Sequence, residues 1–278
     1  MLSKSNSKEH STRDFFIVFA VILLSKSLYY ESYGANYLLI GFFFLLAFIL
    51  IPNIKNFKIE KIILLYSLGL IVIILLNLET NYRSLFVLIS RLLIAIIIIH
   101  LISFERFSKI FINIILALSI ISWLALFIIH FDIQSPLPSF TSVHYIEEVQ
   151  GRILRNFIFF GVDTELIKYN IHRTSSIWWE PGAFQLFVNL AVIFSLINNT
   201  LTFKRYAIFL ITILTAMSTT GLLAFSILSL IFFKKYLNLK NNALLYLIPF
   251  FVVVLGSIFI APIIIEKLNT SHLSFLSR

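Results

Sequence analysis

Residues 204–235 have the sequence KRYAIFLITILTAMSTTGLLAFSILSLIFFKK, an apolar stretch with a basic pair at each end. A helix of ~20 residues spans the ~30 Å hydrocarbon core of a bilayer, so this stretch is too long for one straight span. Lys and Arg in short loops favour the cytoplasmic side, and both basic pairs therefore belong on that side. The chain must cross an even number of times, and we predict a break at Ser218-Thr219-Thr220-Gly221, as two short helices or a re-entrant hairpin. Irregular backbone at membrane depth needs protein or water to satisfy its amides, so the break is expected to line a cavity.

The composition of the full sequence is that of a membrane protein. Apolar residues make up 59% of the 278 positions and charged residues 13%, and the mean hydropathy is +0.97. Because soluble domains contain about 25% charged residues, an ordinary soluble globular domain is excluded. The chain has no cysteine, which excludes disulfides, thiolate nucleophiles and thiolate metal sites.

Further apolar runs predict the remaining spans. We place them at 15–30, 36–52, 61–78, 85–104, 109–131, 182–198 and 243–265; with two crossings in 206–233, the total is about nine. The first run is followed by no small-residue cleavage site, so it is interpreted as a retained span rather than a signal peptide. The sequence therefore predicts an all-α, polytopic integral membrane helix bundle that forms a single transmembrane domain over 1–278.

The basic residues orient this bundle. With a cytoplasmic N-terminus, the +9 net charge is explained by topology rather than by nucleic-acid binding, because the cytoplasmic segments hold most of the Lys and Arg. These residues are Lys4, Lys8, Arg13, Lys55, Lys58, Lys61, Arg106, Lys109, Lys204, Arg205, Lys234, Lys235 and Lys240. The short outward segments hold Arg83, Lys267 and Arg278.

One outward segment, 132–181, is long. Loops of this length in a compact bundle are usually functional. Within it, residues 146–157 place Ile146, Val149, Ile153 and Phe157 at helical spacing, which predicts a short amphipathic helix at the interface.

The long loop ends in Arg173-Thr-Ser-Ser-Ile-Trp-Trp-Glu-Pro-Gly182. Pro181 fits the first turn of a helix, and Glu180 is placed near the cap, where the helix dipole favours a carboxylate. A structural interpretation makes Glu180 a cap, Arg173 its ion-pair partner and Trp178-Trp179 an interfacial aromatic belt. A chemical interpretation instead makes Arg173 and Glu180 parts of an active site.

Arg173-x6-Glu-Pro-Gly at the entry to a span, followed by the Ser-Thr-Thr-Gly break, resembles the O-antigen polymerase and ligase superfamily. The similarity covers 165–225 and is greatest to Wzy-type bacterial polysaccharide polymerases. The chain ends one predicted span after the break, which suggests a short or truncated member. The resemblance implies a bacterial inner-membrane glycosyltransferase that uses no metal or nucleotide sugar. Such an enzyme moves a glycan from undecaprenyl diphosphate to an acceptor hydroxyl on the outer side of the membrane.

The resemblance carries over Arg173 and Glu180 as site positions, and the roles given to the site residues follow from their chemistry. Arg173 is the expected diphosphate clamp, because a guanidinium is permanently charged and matches phosphate geometry. Glu180 or His172 is the candidate base for the acceptor hydroxyl. The expected substrate-binding residues are Arg91, Arg152, Arg155, Trp179, Ser218, Thr219 and Gly221.

Several of these residues have simpler explanations. Arg152 and Arg155 could pair with Glu147 and Glu148 or with anionic lipid heads. Arg91 lies in the outer half of its span, where it could extend to the interface or face the substrate groove.

Two amides follow the proline on the same predicted helix. Gln185 and Asn189 are four residues apart, and they could join helices or line the groove.

The predicted activity is polymerisation of undecaprenyl-diphosphate-linked repeat units into O-antigen or capsule. A ligase of the same superfamily and a lipid-linked glycan flippase or transporter are the alternatives. Expected partners are the lipid-linked glycans, the bilayer and other polysaccharide assembly proteins, such as a flippase or chain-length regulator. No cofactor, metal or nucleic acid is expected.

Overall fold

The computed structural model describes residues 3–25, 41–42, 82–131, 153–157, 160–166, 171–178 and 180–237. These residues are mostly helical. Their elements are α1 (Ser3–Leu24), α2 (Tyr82–Leu101), α3 (Phe104–His130), β1 (Ile153–Phe157), β2 (Phe160–Leu166), β3 (Ile171–Ser176), α4 (Pro181–Ile197), α5 (Phe203–Ala216) and α6 (Thr219–Leu237). Apart from 41–42, the predicted spans at 36–52, 61–78 and 243–265 lie outside the described residues.

Within the described part of the chain, the segment Phe104–Ile128 of α3 is long and apolar enough to cross a membrane, with a mean hydropathy of 2.5. Pro181–Ile197 and Thr219–Lys234 are shorter apolar helices. The predicted spans 85–104, 109–131, 182–198 and 206–233 correspond in position to α2, α3, α4 and the α5–α6 pair.

The junction between α2 and α3 is shorter than predicted. Only Ile102 and Ser103 separate the two helices, and the carbonyl of Ser103 accepts a hydrogen bond of 2.9 Å from the Phe107 amide. Arg106 and Lys109 therefore belong to the start of α3 rather than to a loop.

The chain divides into two compact units. The first contains Met1–Ser25 and Tyr30–Phe107, and the second contains Lys26–Tyr29 and Ser108–Arg278. In the first unit, the buried carboxylate of Asp14 binds two guanidinium groups, Arg13 at 3.0 Å and Arg106 at 2.8 Å. The Arg106 ion pair holds the start of α3 against α1.

A three-stranded antiparallel sheet of order β1-β2-β3 lies in the predicted outward loop. The prediction of a helical fold therefore holds for most of the described residues and is wrong in this loop, where the last five residues of the predicted amphipathic helix form β1. Phe157 pairs with Phe160 and Leu154 with Asp163, so β1 obtains its hydrogen bonds from a partner strand. Helical spacing of apolar side chains cannot reveal pairing with a neighbouring strand.

In the second unit, α4 packs against α5 and α6, and β3 packs against both α4 and α5. The indole of Trp178 stacks on Phe187 with 4.5 Å between ring centroids. The Tyr206 hydroxyl, buried between α5 and α6, donates a 2.9 Å hydrogen bond to Ser229. Strand β3 and these three helices therefore form one packed cluster.

Candidate functional site at the junction of β3 with α4, α5 and α6

Arg173 lies on β3, and only 4% of it is exposed. Every residue from Arg173 to Trp178 is buried, because β3 has β2 along one edge and α4 and α5 packed against it. Removing a guanidinium from water is costly unless other groups compensate for the lost hydration. The position of Arg173 is therefore unlike that of a solvated loop arginine, whose charge would be screened.

The register of the sheet introduces a carboxylate that the sequence patterns did not single out. Asp163 on β2 is the Cα partner of Arg173 on β3. Residues paired directly across antiparallel strands are close neighbours. In the sequence, Asp163 is only an acidic residue ten positions before Arg173. The two residues can be recognised as a pair only when both segments are known to be strands.

After β3 the chain turns sharply into the helical cluster. Ser176 adopts a left-handed conformation with φ 54°, and the Trp178 amide donates a 3.0 Å hydrogen bond to the Ser175 carbonyl. The Trp178 side chain is fully buried against Phe184 and Phe187. The prediction that Trp178 belongs to an interfacial aromatic belt is therefore wrong, because the turn directs it into the core.

Glu180 and Pro181 occupy the predicted positions at the start of α4. Glu180 is the N-cap residue with φ −127° and ψ 142°, and Pro181 follows at the first helical position. The Glu180 carboxylate is exposed and makes no capping hydrogen bond with the helix amides. This carboxylate is therefore available to a molecule in solution, in contrast to the buried Arg173.

The predicted break between α5 and α6 is present and tight. Helix α5 ends at Ala216, and Met217 adopts a left-handed C-cap conformation with φ 48°. Ser218 then precedes α6, so that Thr219, Thr220 and Gly221 form the first turn of α6 rather than the turn itself. A left-handed residue at this position ends a helix and lets the chain reverse.

The break lies beside the start of α4. A Cβ atom placed on Gly182 would lie 3.6 Å from the Ser218 hydroxyl oxygen. The Glu-Pro-Gly segment and the helix break are therefore neighbours in space, although more than thirty positions separate them along the chain. Ser218 is half-buried and Thr219 is exposed.

Two buried amides connect α4 to this break. Gln185 Nε2 donates a 2.8 Å hydrogen bond to the Ile213 carbonyl near the end of α5. Asn189 Nδ2 donates a 3.0 Å hydrogen bond to the Gly221 carbonyl in the first turn of α6. The helix-joining role predicted for both amides is confirmed, and it keeps the ends of three helices together.

Gly221 is required for this close packing. A Cβ atom at this position would overlap the Gln185 side chain, at 2.5 Å from its Cδ and 2.6 Å from its Cβ. The glycine therefore allows α6 to approach α4 closely enough for the Asn189 hydrogen bond.

The other predicted site residues are less closely connected to this cluster. His172 is a β3 residue paired with Thr164, and Arg155 is a β1 residue paired with Val162. Arg91 is half-buried on α2 in the first unit, so its predicted place in the same groove stays a prediction. Arg152 and Trp179 lie outside the described residues.

No protein-family model, curated protein or solved structure matches this chain. Its class is therefore defined by the fold and the site alone. The described residues are mostly helical, and a small sheet that carries a buried arginine packs against α4 and α5.

Proposed function

We propose that the chain is a polytopic, metal-independent membrane glycosyltransferase that acts on polyprenyl-diphosphate-linked glycans and polymerises their repeat units. The observation that supports this function best is the buried Arg173, on a strand that packs against α4, which begins at the Glu-Pro-Gly segment, and against α5, which ends at the helix break. These are the two motifs on which the resemblance to the O-antigen polymerase and ligase superfamily rests.

The exposed apolar surface supports a bilayer environment. On α6, Leu223, Ile227 and Ile231 recur every fourth residue and are each more than half exposed. On α3, Leu124, Phe127 and other large apolar side chains are exposed in the same way. Soluble proteins rarely expose continuous apolar stripes, whereas lipid-facing helices require them.

Two side-chain contacts agree with the predicted topology. Asp14 binds Arg106 within the first unit, and Asn198 donates a 2.6 Å hydrogen bond to Ser108 within the second. Each contact joins two segments that the basic residues assign to the cytoplasmic side. The β3 strand and the break then belong to the opposite, outward end of α4.

The proposed reaction is a displacement at the anomeric carbon of the donor glycan. The bond from this carbon to the diphosphate oxygen breaks, and a bond to the acceptor hydroxyl oxygen forms. The hydroxyl proton passes to a base, for which the exposed Glu180 carboxylate is our candidate. Arg173 stabilises the negative charge that develops on the departing diphosphate, which is where a fixed cation accelerates the step.

Reconstitution tests this activity directly. Purified protein in liposomes that contain an undecaprenyl-diphosphate-linked oligosaccharide is expected to produce carrier-linked chains of increasing length without added metal. Transfer only to a lipid A core acceptor would indicate the ligase. Movement of the donor across the bilayer without new glycosidic bonds would indicate a flippase and contradict the proposal.

Single cysteines test the topology, because the natural chain has none. We expect a membrane-impermeant maleimide to label Thr219→Cys in intact spheroplasts and to label Ser103→Cys only after permeabilisation. Both positions are exposed, so the difference would report the side of the membrane rather than burial. If only Ser103→Cys were labelled in intact spheroplasts, the orientation would be the opposite of the predicted one. The proposed site would then not face outward.

A further inference from the structure

The buried carboxylate of Asp14 holds two arginines side by side in the first unit. Asp14 is 1% exposed. Arg13 binds its Oδ1 through Nε at 3.1 Å and through Nη2 at 3.0 Å, and Arg106 binds its Oδ2 through Nε at 2.8 Å. Because both guanidinium groups contact the same carboxylate, they lie close together. The three side chains carry one more positive than negative charge, since arginine stays protonated in proteins.

The two arginines have more hydrogen-bond donors than Asp14 uses. Every nitrogen of a guanidinium carries N–H groups, and the contacts with Asp14 do not involve Nη1 of Arg13 or either Nη atom of Arg106. The Arg13 and Arg106 side chains are 33% and 39% exposed, so a molecule outside the protein can reach them. Two like charges held together repel each other, and a further anion reduces this repulsion.

The chemistry of the pair favours phosphate among the possible anions. The planar donor fork of a guanidinium matches the oxygens of a phosphate group and can bind two of them at once. Asp14 fixes the two forks in advance, so they lose little freedom when a ligand binds. The neighbouring Glu105 carboxylate is exposed, so water and salt screen its opposing charge.

Exposed apolar side chains accompany the arginines. Phe16 lies three residues after Arg13 on α1, a spacing that places both on the same side of the helix, and it is 63% exposed. Phe104, in the first turn of α3 with Arg106, is 52% exposed. Apolar surface beside a phosphate-binding pair suits a ligand in which the phosphate is joined to hydrocarbon chains.

The predicted topology places the pair at the membrane surface. Asp14 directly precedes the predicted span 15–30, and Arg106 lies between the predicted spans 85–104 and 109–131. The basic residues assign both positions to the cytoplasmic side. Basic pockets on this side of a membrane attract the head groups of anionic lipids.

We infer that Arg13 and Arg106, held together by Asp14, form a binding site for the phosphate of an anionic phospholipid in the cytoplasmic leaflet. The exposed phenylalanines lie toward its acyl chains. The site belongs to the first unit, and its occupation does not depend on the proposed glycosyl transfer.

Native mass spectrometry of the full chain in detergent tests this site. The delipidated protein is titrated with dioleoylphosphatidylglycerol, whose head group is anionic, and with dioleoylphosphatidylcholine, whose head group is zwitterionic. The first phosphatidylglycerol is expected to bind the wild type at least about tenfold more tightly than the first phosphatidylcholine, because the choline ammonium is repelled by the arginines. Equal affinities for the two lipids would overturn the inference.

Two substitutions of Arg106 separate a built site from general attraction to a basic surface. Arg106→Gln removes a charged donor and is expected to weaken phosphatidylglycerol binding at least about tenfold. Arg106→Lys retains the charge and the ion pair with Asp14 but lacks the planar fork, and a loss of at least about threefold is expected. Melting temperatures report the folding of both variants, and Arg106→Lys decides the question if Arg106→Gln unfolds. Wild-type affinity in a folded Arg106→Lys protein would contradict the site.

Arg205→Lys is the matched control. The predicted topology places Arg205 on the same side of the membrane, and it is half-buried in α5, away from the Asp14 contacts. Phosphatidylglycerol affinity is expected to stay within about twofold of the wild type in this variant. An equal loss in Arg106→Lys and Arg205→Lys would show that any arginine at this surface contributes, and would overturn the specific site.

Inorganic phosphate distinguishes a lipid from a soluble ligand. Phosphate in large excess is expected to leave phosphatidylglycerol bound, because the acyl chains add apolar contacts that a free anion lacks. Displacement of the lipid by phosphate alone would assign the arginine pair to a soluble phosphate compound instead, which would overturn the lipid site.

Discussion

Replacement of Arg173 by lysine is expected to lower glycan transfer at least about 100-fold, because one fixed donor to a developing charge contributes on the order of 10² to 10³ in rate. Lysine retains the positive charge but presents a compact ammonium in place of a planar fork with two parallel donors. The substitution therefore tests geometry rather than charge alone. The measurement is the initial rate of chain growth in proteoliposomes at saturating lipid-linked donor.

Arg205→Lys is the control for this substitution. Arg205 is half-buried at the start of α5, where its Nη1 donates a 2.9 Å hydrogen bond to the Thr200 carbonyl. A lysine ammonium can replace this single hydrogen bond, so transfer is expected to remain within about twofold of the wild-type rate.

The folding of both variants is monitored by their melting temperatures in detergent. A folded Arg173→Lys protein that transfers glycan at the wild-type rate would show that Arg173 is not the diphosphate clamp. The buried arginine would then have only a structural role in the β3 junction.

Replacement of Gly221 by alanine is expected to destabilise the protein by about 1–3 kcal/mol through overpacking. Helix propensity alone predicts the opposite sign, since alanine is more favourable than glycine in a helix by about 1 kcal/mol. The added methyl group would overlap the Gln185 side chain, so α4 and α6 must separate or the Gln185 hydrogen bond to Ile213 must break. Thermal unfolding in detergent measures the difference.

Gly182→Ala provides the matched comparison. Gly182 lies in the first turn of α4, and a Cβ atom there would meet only the Ser218 hydroxyl, at an ordinary contact distance of 3.6 Å. Its melting temperature is expected to match or exceed that of the wild type. If Gly221→Ala proved as stable as Gly182→Ala, the result would contradict the close packing of α6 against Gln185.

Shortening Gln185 should not restore the Gly221→Ala variant fully. Gln185→Ala removes the overlapping amide, but its own Cβ would still lie 2.6 Å from the new Cβ. The double variant is therefore expected to remain less stable than Gln185→Ala alone. This outcome would locate the strain between the two helix backbones rather than in one flexible side chain.

Several local features of the site follow from neighbouring residues and were predicted correctly. Proline lacks an amide hydrogen, so Pro181 starts α4. The polar residues Ser218 and Thr219 interrupt an apolar stretch that is too long for one span, and α5 and α6 separate there. Such features depend on a few adjacent positions, so sequence patterns are sufficient to locate them.

The sheet and its consequences were not predictable in this way. Ile153 and Phe157 fit a helical spacing, so the sequence pattern predicts a helix where β1 forms, and the pairing with β2 depends on residues further along the chain. The pairing of Asp163 with Arg173 depends on strand register, which is set by hairpin turns and bulges. A single strand carries no information about its register.

By itself, the sequence determined the helical class of most of the described residues, the entry into α4 at Pro181 and the break before α6, because these depend on local composition and backbone chemistry. Only the tertiary structure decided that Arg173 is buried on a strand and that Trp178 is a core residue. It also decided that Gly221 faces Gln185. Those properties arise from contacts between segments distant in the chain, and non-local packing determines which polar groups lose water and which keep a partner.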